Sequence, residues 1–156
     1  MTAVVAVLTM VVAGAAFAAV IYGTDGNDNL SGTGGSDQIY AKAGNDVVRA
    51  HGGDDYVAGN RGNDTLYGGA GEDELYGGPG ADTVRGGPDS DWVEGNAGPD
   101  NLYGGDGDDW VNGFDGVKGN DFVSGGYGYD YCFADSEDEI DKATCNEWYL
   151  VDPYTL

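Results

Sequence analysis

Regularly spaced aspartates are the residues of this chain whose types and spacing could do chemistry. Ten of them lie nine residues apart, and two more follow after a three-residue insertion. A Gly precedes each Asp but one by two positions, and an aliphatic residue follows each Asp but the last by two. Carboxylates repeated in this way predict metal ions held between successive turns. The twelve candidate ligands are Asp28, Asp37, Asp46, Asp55, Asp64, Asp73, Asp82, Asp91, Asp100, Asp109, Asp121 and Asp130.

The unit that must position each carboxylate combines a turn with a short strand. In residues 59–67 the first six residues are typical of a turn, and the last three alternate like a strand. Leu66 is therefore expected to point inward, with Thr65 and Tyr67 pointing outward. Glycines at the first and fourth positions permit backbone angles that a Cβ would disfavour.

Stacking these units predicts the fold class. Two units form an 18-residue coil with one strand on each side, so twelve units predict about six two-strand coils. The expected architecture is an all-β parallel β-roll, or β-solenoid, whose two sheets face each other across a thin aliphatic core. Alternate aspartates then line opposite edges: Asp28, Asp46, Asp64, Asp82 and Asp100 on one, and Asp37, Asp55, Asp73, Asp91 and Asp109 on the other.

Carboxylates stacked at sheet spacing would repel one another unless a cation lies between them. The glycine-rich turns direct main-chain carbonyl groups into the same gaps, which makes an all-oxygen ligand set. Such a set suits a hard cation, and a flexible loop with six to eight ligands favours calcium over magnesium. The expected carbonyl donors lie near Gly59, Gly62, Gly68, Gly71, Gly77, Gly80, Gly95, Gly98, Gly104 and Gly107.

Residues 68–76 (GGAGEDELY) and 104–112 (GGDGDDWVN) follow the nonapeptide pattern G-G-x-G-x-D-x-U-x in full. In this respect the chain resembles the RTX (repeat-in-toxin, hemolysin-type) calcium-binding family, over residues 23 to about 133. The resemblance implies a right-handed parallel β-roll with calcium between successive turns. It also implies that the sixth-position aspartates and the turn carbonyls are the ligands. Roughly eight to ten calcium ions would follow if every adjacent pair of turns held one.

Departures from the pattern predict sites of unequal quality. Ala41 and Ala50 replace the first glycine of their units, and these two turns are expected to bind calcium weakly. Asp89 replaces a fourth-position glycine, although Asp tolerates left-handed angles better than most residues. Lys118 stands where an Asp is expected, which predicts a bulged loop and a defective site. The best sites are expected between residues 59 and 109.

Composition predicts that folding depends on the bound ions. The chain has 28 acidic and 6 basic residues, a net charge of −22, and 30 glycines. Self-repulsion and glycine entropy both oppose compaction. Bound multivalent cations would reverse this balance, because their binding free energy becomes folding free energy. The same charge disfavours nucleic acid and anionic membranes as partners.

The chain divides into three predicted segments. Residues 1–18 are apolar and end in Ala16-Phe17-Ala18, which fits a signal peptide and its cleavage site. An uncleaved membrane anchor is the alternative, since about 20 apolar residues can span a bilayer. Residues 19–133 form the repeat region, and residues 134–156 a C-terminal cap. The expected location is secreted, extracellular or at the cell surface, without membrane attachment after cleavage.

Two cysteines lie next to the predicted cap. Cys132 and Cys145 are the only cysteines, and an even count in an exported chain predicts a disulfide. Two buried free thiols are the alternative. Residues 134–156 contain apolar residues that could cover the last coil, as solenoids require. A partner-docking tail and a secretion signal are the other interpretations of this segment.

Aromatic residues concentrate at outward positions of one predicted sheet. This stripe could bind a glycan, a protein partner or another copy of the chain. The alternative is that the rings pair across strands and shield the sheet. The residues concerned are Tyr40, Tyr56, Tyr76, Trp92 and Trp110.

No group of residues predicts catalysis. His51 is the only histidine and lies in a turn, and the Asp108-Asp109 pair belongs to the repeat frame. The sequence therefore predicts a non-enzymatic, secreted calcium-binding β-roll that folds on binding several calcium ions. The alternative is a calcium-dependent structural or adhesive surface protein that uses the aromatic sheet face.

Overall fold

The computed structural model describes residues 17–151, so most of the predicted signal peptide lies outside the described residues. Fifteen strands and no helix occur in this range, and every strand pairing is parallel. No described helix has the length and apolar character needed to cross a membrane. The chain is an all-β parallel β-solenoid, which confirms the predicted fold class.

Consecutive strands alternate between two parallel sheets. The eight-stranded sheet contains, in spatial order, β1 (Val20–Tyr22), β3 (Gln38–Ala43), β5 (Tyr56–Arg61), β7 (Glu74–Tyr76), β9 (Trp92–Glu94), β11 (Trp110–Asn112), β13 (Tyr131–Asp135) and β15 (Glu147–Val151). The seven-stranded sheet contains β2 (Asn29–Ser31), β4 (Val47–Gly52), β6 (Thr65–Ala70), β8 (Thr83–Pro88), β10 (Asn101–Asp106), β12 (Phe122–Tyr127) and β14 (Glu139–Ile140).

The solenoid has about seven turns, one more than the predicted number of about six. Strand β1 precedes the first full repeat, and β14 and β15 come from the predicted cap. These strands pair in register with repeat strands, as Ile140 does with Val123 and Ile21 with Ile39. The repeat motif missed them because sheet pairing needs only an extended edge, whereas the motif also demands glycines and aspartates.

The core is one file of side chains per sheet. Leu66 pairs with Val84 and Leu75 with Val57, each 18 residues apart, and all four side chains are fully buried. Several strands are six residues long because backbone pairing continues into the turn, as in β6. Cys132 occupies the core position of the last repeat and forms the predicted disulfide with Cys145, with an S–S distance of 1.97 Å.

Candidate metal centre

The twelve aspartates form two columns, one on each edge of the solenoid. In each column the main-chain N–H of one Asp donates a hydrogen bond to the side-chain carboxylate of the next. The N–H of Asp64 donates to Oδ1 of Asp82 at 2.7 Å, and the N–H of Asp82 donates to Oδ1 of Asp100 at 2.8 Å. The same bond recurs from coil to coil. The first column is Asp28, Asp46, Asp64, Asp82, Asp100 and Asp121, and the second is Asp37, Asp55, Asp73, Asp91, Asp109 and Asp130.

The second carboxylate oxygen of most column aspartates is buried and has no hydrogen-bond partner. All twelve side chains are at most 4% exposed. Buried polar atoms are almost always paired, and an isolated buried carboxylate is strongly unfavourable. An unpaired oxygen repeated along both columns therefore fits a cation bound between the coils. The atoms are Oδ2 of Asp46, Asp55, Asp64, Asp73, Asp82, Asp91, Asp100, Asp109, Asp121 and Asp130 and Oδ1 of Asp28.

In seven units the unpaired Oδ2 borders a space that the first glycine of the unit keeps open. These glycines are Gly59, Gly68, Gly77, Gly86, Gly95, Gly104 and Gly125. A Cβ added to Gly59 would lie 2.5 Å from Oδ2 of Asp64 and 2.6 Å from the carbonyl oxygen of Gly77. At Gly77 the corresponding distances are 2.5 Å to Asp82 and 2.8 Å to the carbonyl of Gly95. A carboxylate oxygen of one coil and a carbonyl oxygen of the next thus border one space.

Both kinds of oxygen are needed to complete a metal site. The described residues contain no group of three or more His, Cys, Asp or Glu side chains able to hold a metal. Main-chain carbonyl oxygens are the other hard oxygen ligands at these turns, and calcium accepts such mixed sets. Paired carboxylates, turn carbonyls and an open cradle fit calcium.

Burial also changes the ionisation of the column aspartates. Desolvation is the main cause that raises the pKa of Asp64 to about 6, of Asp73 and Asp82 to about 7, and of Asp91 to about 8. Repulsion from the neighbouring column carboxylates acts in the same direction, while the hydrogen bond from the preceding Asp lowers each pKa. A cation between the coils would favour the ionised form.

The turns that depart from the repeat keep its backbone geometry. Lys42, His51 and Asp89 have φ values of 83°, 85° and 78°, in the left-handed region that glycine usually occupies. The difference lies at the preceding position, where the side chains of Ala41 and Ala50 are fully buried. Their methyl groups enter the space that the glycines leave open elsewhere.

The insertion near Lys118 does not interrupt the first column. The N–H of Asp100 donates to Oδ1 of Asp121 at 2.8 Å, so the extra residues are accommodated as a bulge in the turn of residues 113–120 while the column continues. Lys118 lies in this bulge rather than at a column position.

Both columns also continue into the tail, which the sequence interpretation missed. The N–H of Asp121 donates to Oδ1 of Asp138, and that of Asp130 donates to Oδ1 of Asn146. Asp138 precedes Ile140 by two positions, as each column Asp precedes its aliphatic. That spacing could have identified Asp138 as a column residue from the sequence. The repeat pattern did not include it because no glycine precedes Asp138 by two positions.

The predicted aromatic stripe lies on the outer face of the eight-stranded sheet. Trp92 and Trp110 stack at a centroid distance of 5.1 Å with planes 4° apart. The rings of Tyr40, Tyr56 and Tyr76 follow one another at 5.5 to 5.6 Å. The tyrosine rings are tilted by 41° to 46° to one another, so only the two tryptophans stack face to face.

Parallel coils, two carboxylate columns and glycine cradles define a cation-binding β-solenoid. The family model of the RTX calcium-binding nonapeptide repeat (4 copies) matches residues 14–48, 22–57, 50–84, 85–113 and 114–138, together a continuous span over most of the chain. The chain belongs to this family. No curated protein and no solved structure matches the chain.

Proposed function

We propose that this chain is a secreted, non-enzymatic calcium-binding β-roll that folds when calcium enters the gaps between its Gly/Asp turns. The observation that carries the proposal is the row of buried Oδ2 atoms without partners. At Gly59, Gly68, Gly77, Gly86 and Gly104 such an atom and a carbonyl oxygen of the next coil border the same space. The twelve column aspartates and the turn carbonyls are the proposed ligands, for roughly eight to ten ions.

Circular dichroism during a calcium titration tests this function. In excess chelator at a pH above about 8 the spectrum should lack β structure, because the buried carboxylates are then ionised and repel one another. Calcium should restore the β signal cooperatively, since each ion joins two coils. A β spectrum that is unchanged by chelator would contradict calcium-dependent folding.

A matched pair of variants tests whether the calcium-dependent β signal depends on the column aspartates. Asp73 is 1% exposed and has an unpaired Oδ2, whereas the neighbouring Glu72 is exposed. Asp73→Asn should bind fewer calcium ions and need more calcium to fold, and Glu72→Gln should behave as the parent does. Equal calcium titration curves for the two variants would show that the column aspartates are not calcium ligands.

The proposed location and segment boundaries rest on the two ends of the chain. Export is supported by the disulfide, because disulfides persist in oxidising compartments. Residues 1–18 remain the proposed signal peptide, 19–133 the calcium-binding region and 134–156 the cap. Mass spectrometry of the secreted protein would show a new N-terminus at residue 19, or an intact leader if the anchor interpretation holds.

We assign the aromatic stripe to packing rather than to ligand binding. The stacked faces of Trp92 and Trp110 cover each other, and the tilted rings of Tyr40, Tyr56 and Tyr76 contact one another across the strands. Sedimentation in calcium compares the parent with the Trp92→Ala, Trp110→Ala double variant. Assembly of the parent that the double variant loses would favour the adhesive alternative.

A further inference from the structure

The loop created by the insertion and the turn that starts the tail are joined through one buried carboxylate. We call residues 113–120 the insertion loop and residues 135–138 the tail turn. Oδ2 of Asp135 accepts hydrogen bonds from the N–H groups of Asp115 at 3.1 Å and Gly116 at 2.8 Å. The side chain of Asp135 is fully buried. The tail turn thus fixes the insertion loop in place.

A second carboxylate of the tail turn completes this connection. Oδ1 of Asp138 accepts the N–H groups of Gly119 at 2.8 Å and Asn120 at 3.0 Å. It also accepts the N–H of Asp121, and Oδ2 of Asp138 accepts the N–H of Asp135. Two acidic residues outside the repeat therefore organise the end of the first column.

Three buried side-chain oxygens of this network have no partner. They are Oδ1 of Asp135, Oδ2 of Asp121 and Oδ1 of Asn120. Asp121 is 4% exposed and Asp135 is 0% exposed, so both carboxylates are shielded from bulk solvent. Buried carboxylates of this kind require a counter-charge. The nine-residue motif does not include Asn120 or Asp135 as ligands.

We propose that a divalent cation, calcium in this protein, binds between the insertion loop and the tail turn, with Asp121, Asp135 and the amide oxygen of Asn120 supplying oxygens. The site differs from the repeat sites in drawing ligands from the insertion and the tail. Hard divalent cations accept such mixed oxygen sets, with main-chain oxygens and water completing the coordination. The inference rests on the proposed calcium function.

The two edges of the solenoid differ at this end. On the first edge the last pair in the column consists of two carboxylates, Asp121 and Asp138. On the second edge the residue that follows Asp130 is Asn146, a neutral amide. The additional ion is therefore expected on the first edge only.

Counting the bound ions in the full, disulfide-bonded chain tests the site. In Asp135→Asn the amide oxygen still accepts the two N–H groups of the insertion loop, and an NH₂ group replaces the unpaired oxygen. Native mass spectrometry at saturating calcium should show one ion fewer than in the parent. Glu137→Gln is the matched control, because it removes one charge from an exposed side chain of the same turn and should leave the count unchanged.

The outcomes separate this site from the proposed function. An Asp135→Asn variant that binds as many ions as the parent overturns the site alone, whereas a parent that binds none overturns both. If hydrogen exchange shows β14 and β15 unprotected in Asp135→Asn, Asn120→Ala becomes the deciding variant. It removes the third proposed ligand and leaves both carboxylates of the tail turn in place, so one ion lost supports the site while an unchanged count overturns it.

Discussion

The first glycine of a unit matters for the proposed calcium site because it has no side chain and leaves space beside the Asp carboxylate. At Gly77 the backbone is not in the left-handed region, so the position demands glycine for room and not for its backbone angles. A methyl group there would meet Oδ2 of Asp82 and the carbonyl of Gly95. Ala41 and Ala50 carry such a methyl group, which is the physical reason to expect weaker calcium binding at those two turns.

Gly77→Ala should therefore reduce the number of bound calcium ions by at least one, as measured by isothermal titration calorimetry. Gly52→Ala is the control, because a Cβ there lies 3.6 Å from the nearest atom, the carbonyl oxygen of Ala70. The reverse changes, Ala41→Gly and Ala50→Gly, should strengthen binding. Identical ion counts for Gly77→Ala and Gly52→Ala would show that the cradle does not hold the ion.

The raised pKa values predict that acid favours folding of the calcium-free chain. Burial raises the pKa of Asp64 from 3.8 to about 6 and that of Asp91 to about 8. A pKa that is raised in the folded state gives stability that is complete below about pH 4 and is lost as pH rises towards 8.

Circular dichroism in chelator between pH 3 and 9 measures this effect. The β signal should be strongest in acid and should disappear as the pH passes through the pKa values of the buried aspartates. In saturating calcium the signal should persist at pH 8, because the ions stabilise the ionised carboxylates. A calcium-free chain that gains β structure as the pH rises would contradict the assigned burial.

At the scale of the strands, each coil depends on its neighbours. A three-residue strand buries a single aliphatic side chain, as β7 buries Leu75. Leu66 in β6 pairs with Val48 on one side and Val84 on the other. Leu30 in β2, at the end of the seven-stranded sheet, pairs with Val48 alone. Central strands therefore lose more packing on truncation than terminal ones.

Leu66→Ala should lower the free energy of unfolding by about 3–5 kcal/mol, and Leu30→Ala by nearer 2 kcal/mol. The larger loss at Leu66 reflects a cavity enclosed by two neighbouring strands. Denaturant unfolding in saturating calcium measures both changes, so that ion binding is held constant. Equal losses at the two positions would indicate that the coils do not support one another from both sides.

Across the whole molecule, charge decides whether the chain is compact. A net charge of −22 spread over 156 residues repels itself, and the columns concentrate part of that charge inside the fold. Divalent ions bound between the coils, as proposed, would neutralise the columns. Compaction should therefore follow calcium binding closely.

Small-angle X-ray scattering measures this compaction. In chelator the radius of gyration should approach the value of about 40 Å expected for an unfolded chain of this length. In saturating calcium it should fall below about 20 Å. Magnesium at the same concentration serves as the control, because it prefers a smaller octahedral site and should compact the chain less. A radius of gyration that is the same in chelator and in calcium would contradict the prediction that calcium binding compacts the chain.

The sequence alone determined the class of fold and the identity of the column aspartates. A fixed nine-residue period places every Leu66-like side chain inward, and two units per coil assign each Asp to an edge. These features are local and repeated, so they can be read without knowing how distant parts of the chain meet. The disulfide between Cys132 and Cys145 was also predicted, because only one pairing exists.

Only the tertiary structure decided how the solenoid ends and what its gaps contain. The seventh turn, and the roles of Asp138 and Asn146, depend on pairing between the tail and the last repeat. The unpaired Oδ2 atoms and the methyl groups in two cradles became visible once neighbouring coils were in register. All of these features depend on contacts between residues about 18 positions apart. A nine-residue motif does not specify such contacts where its period breaks.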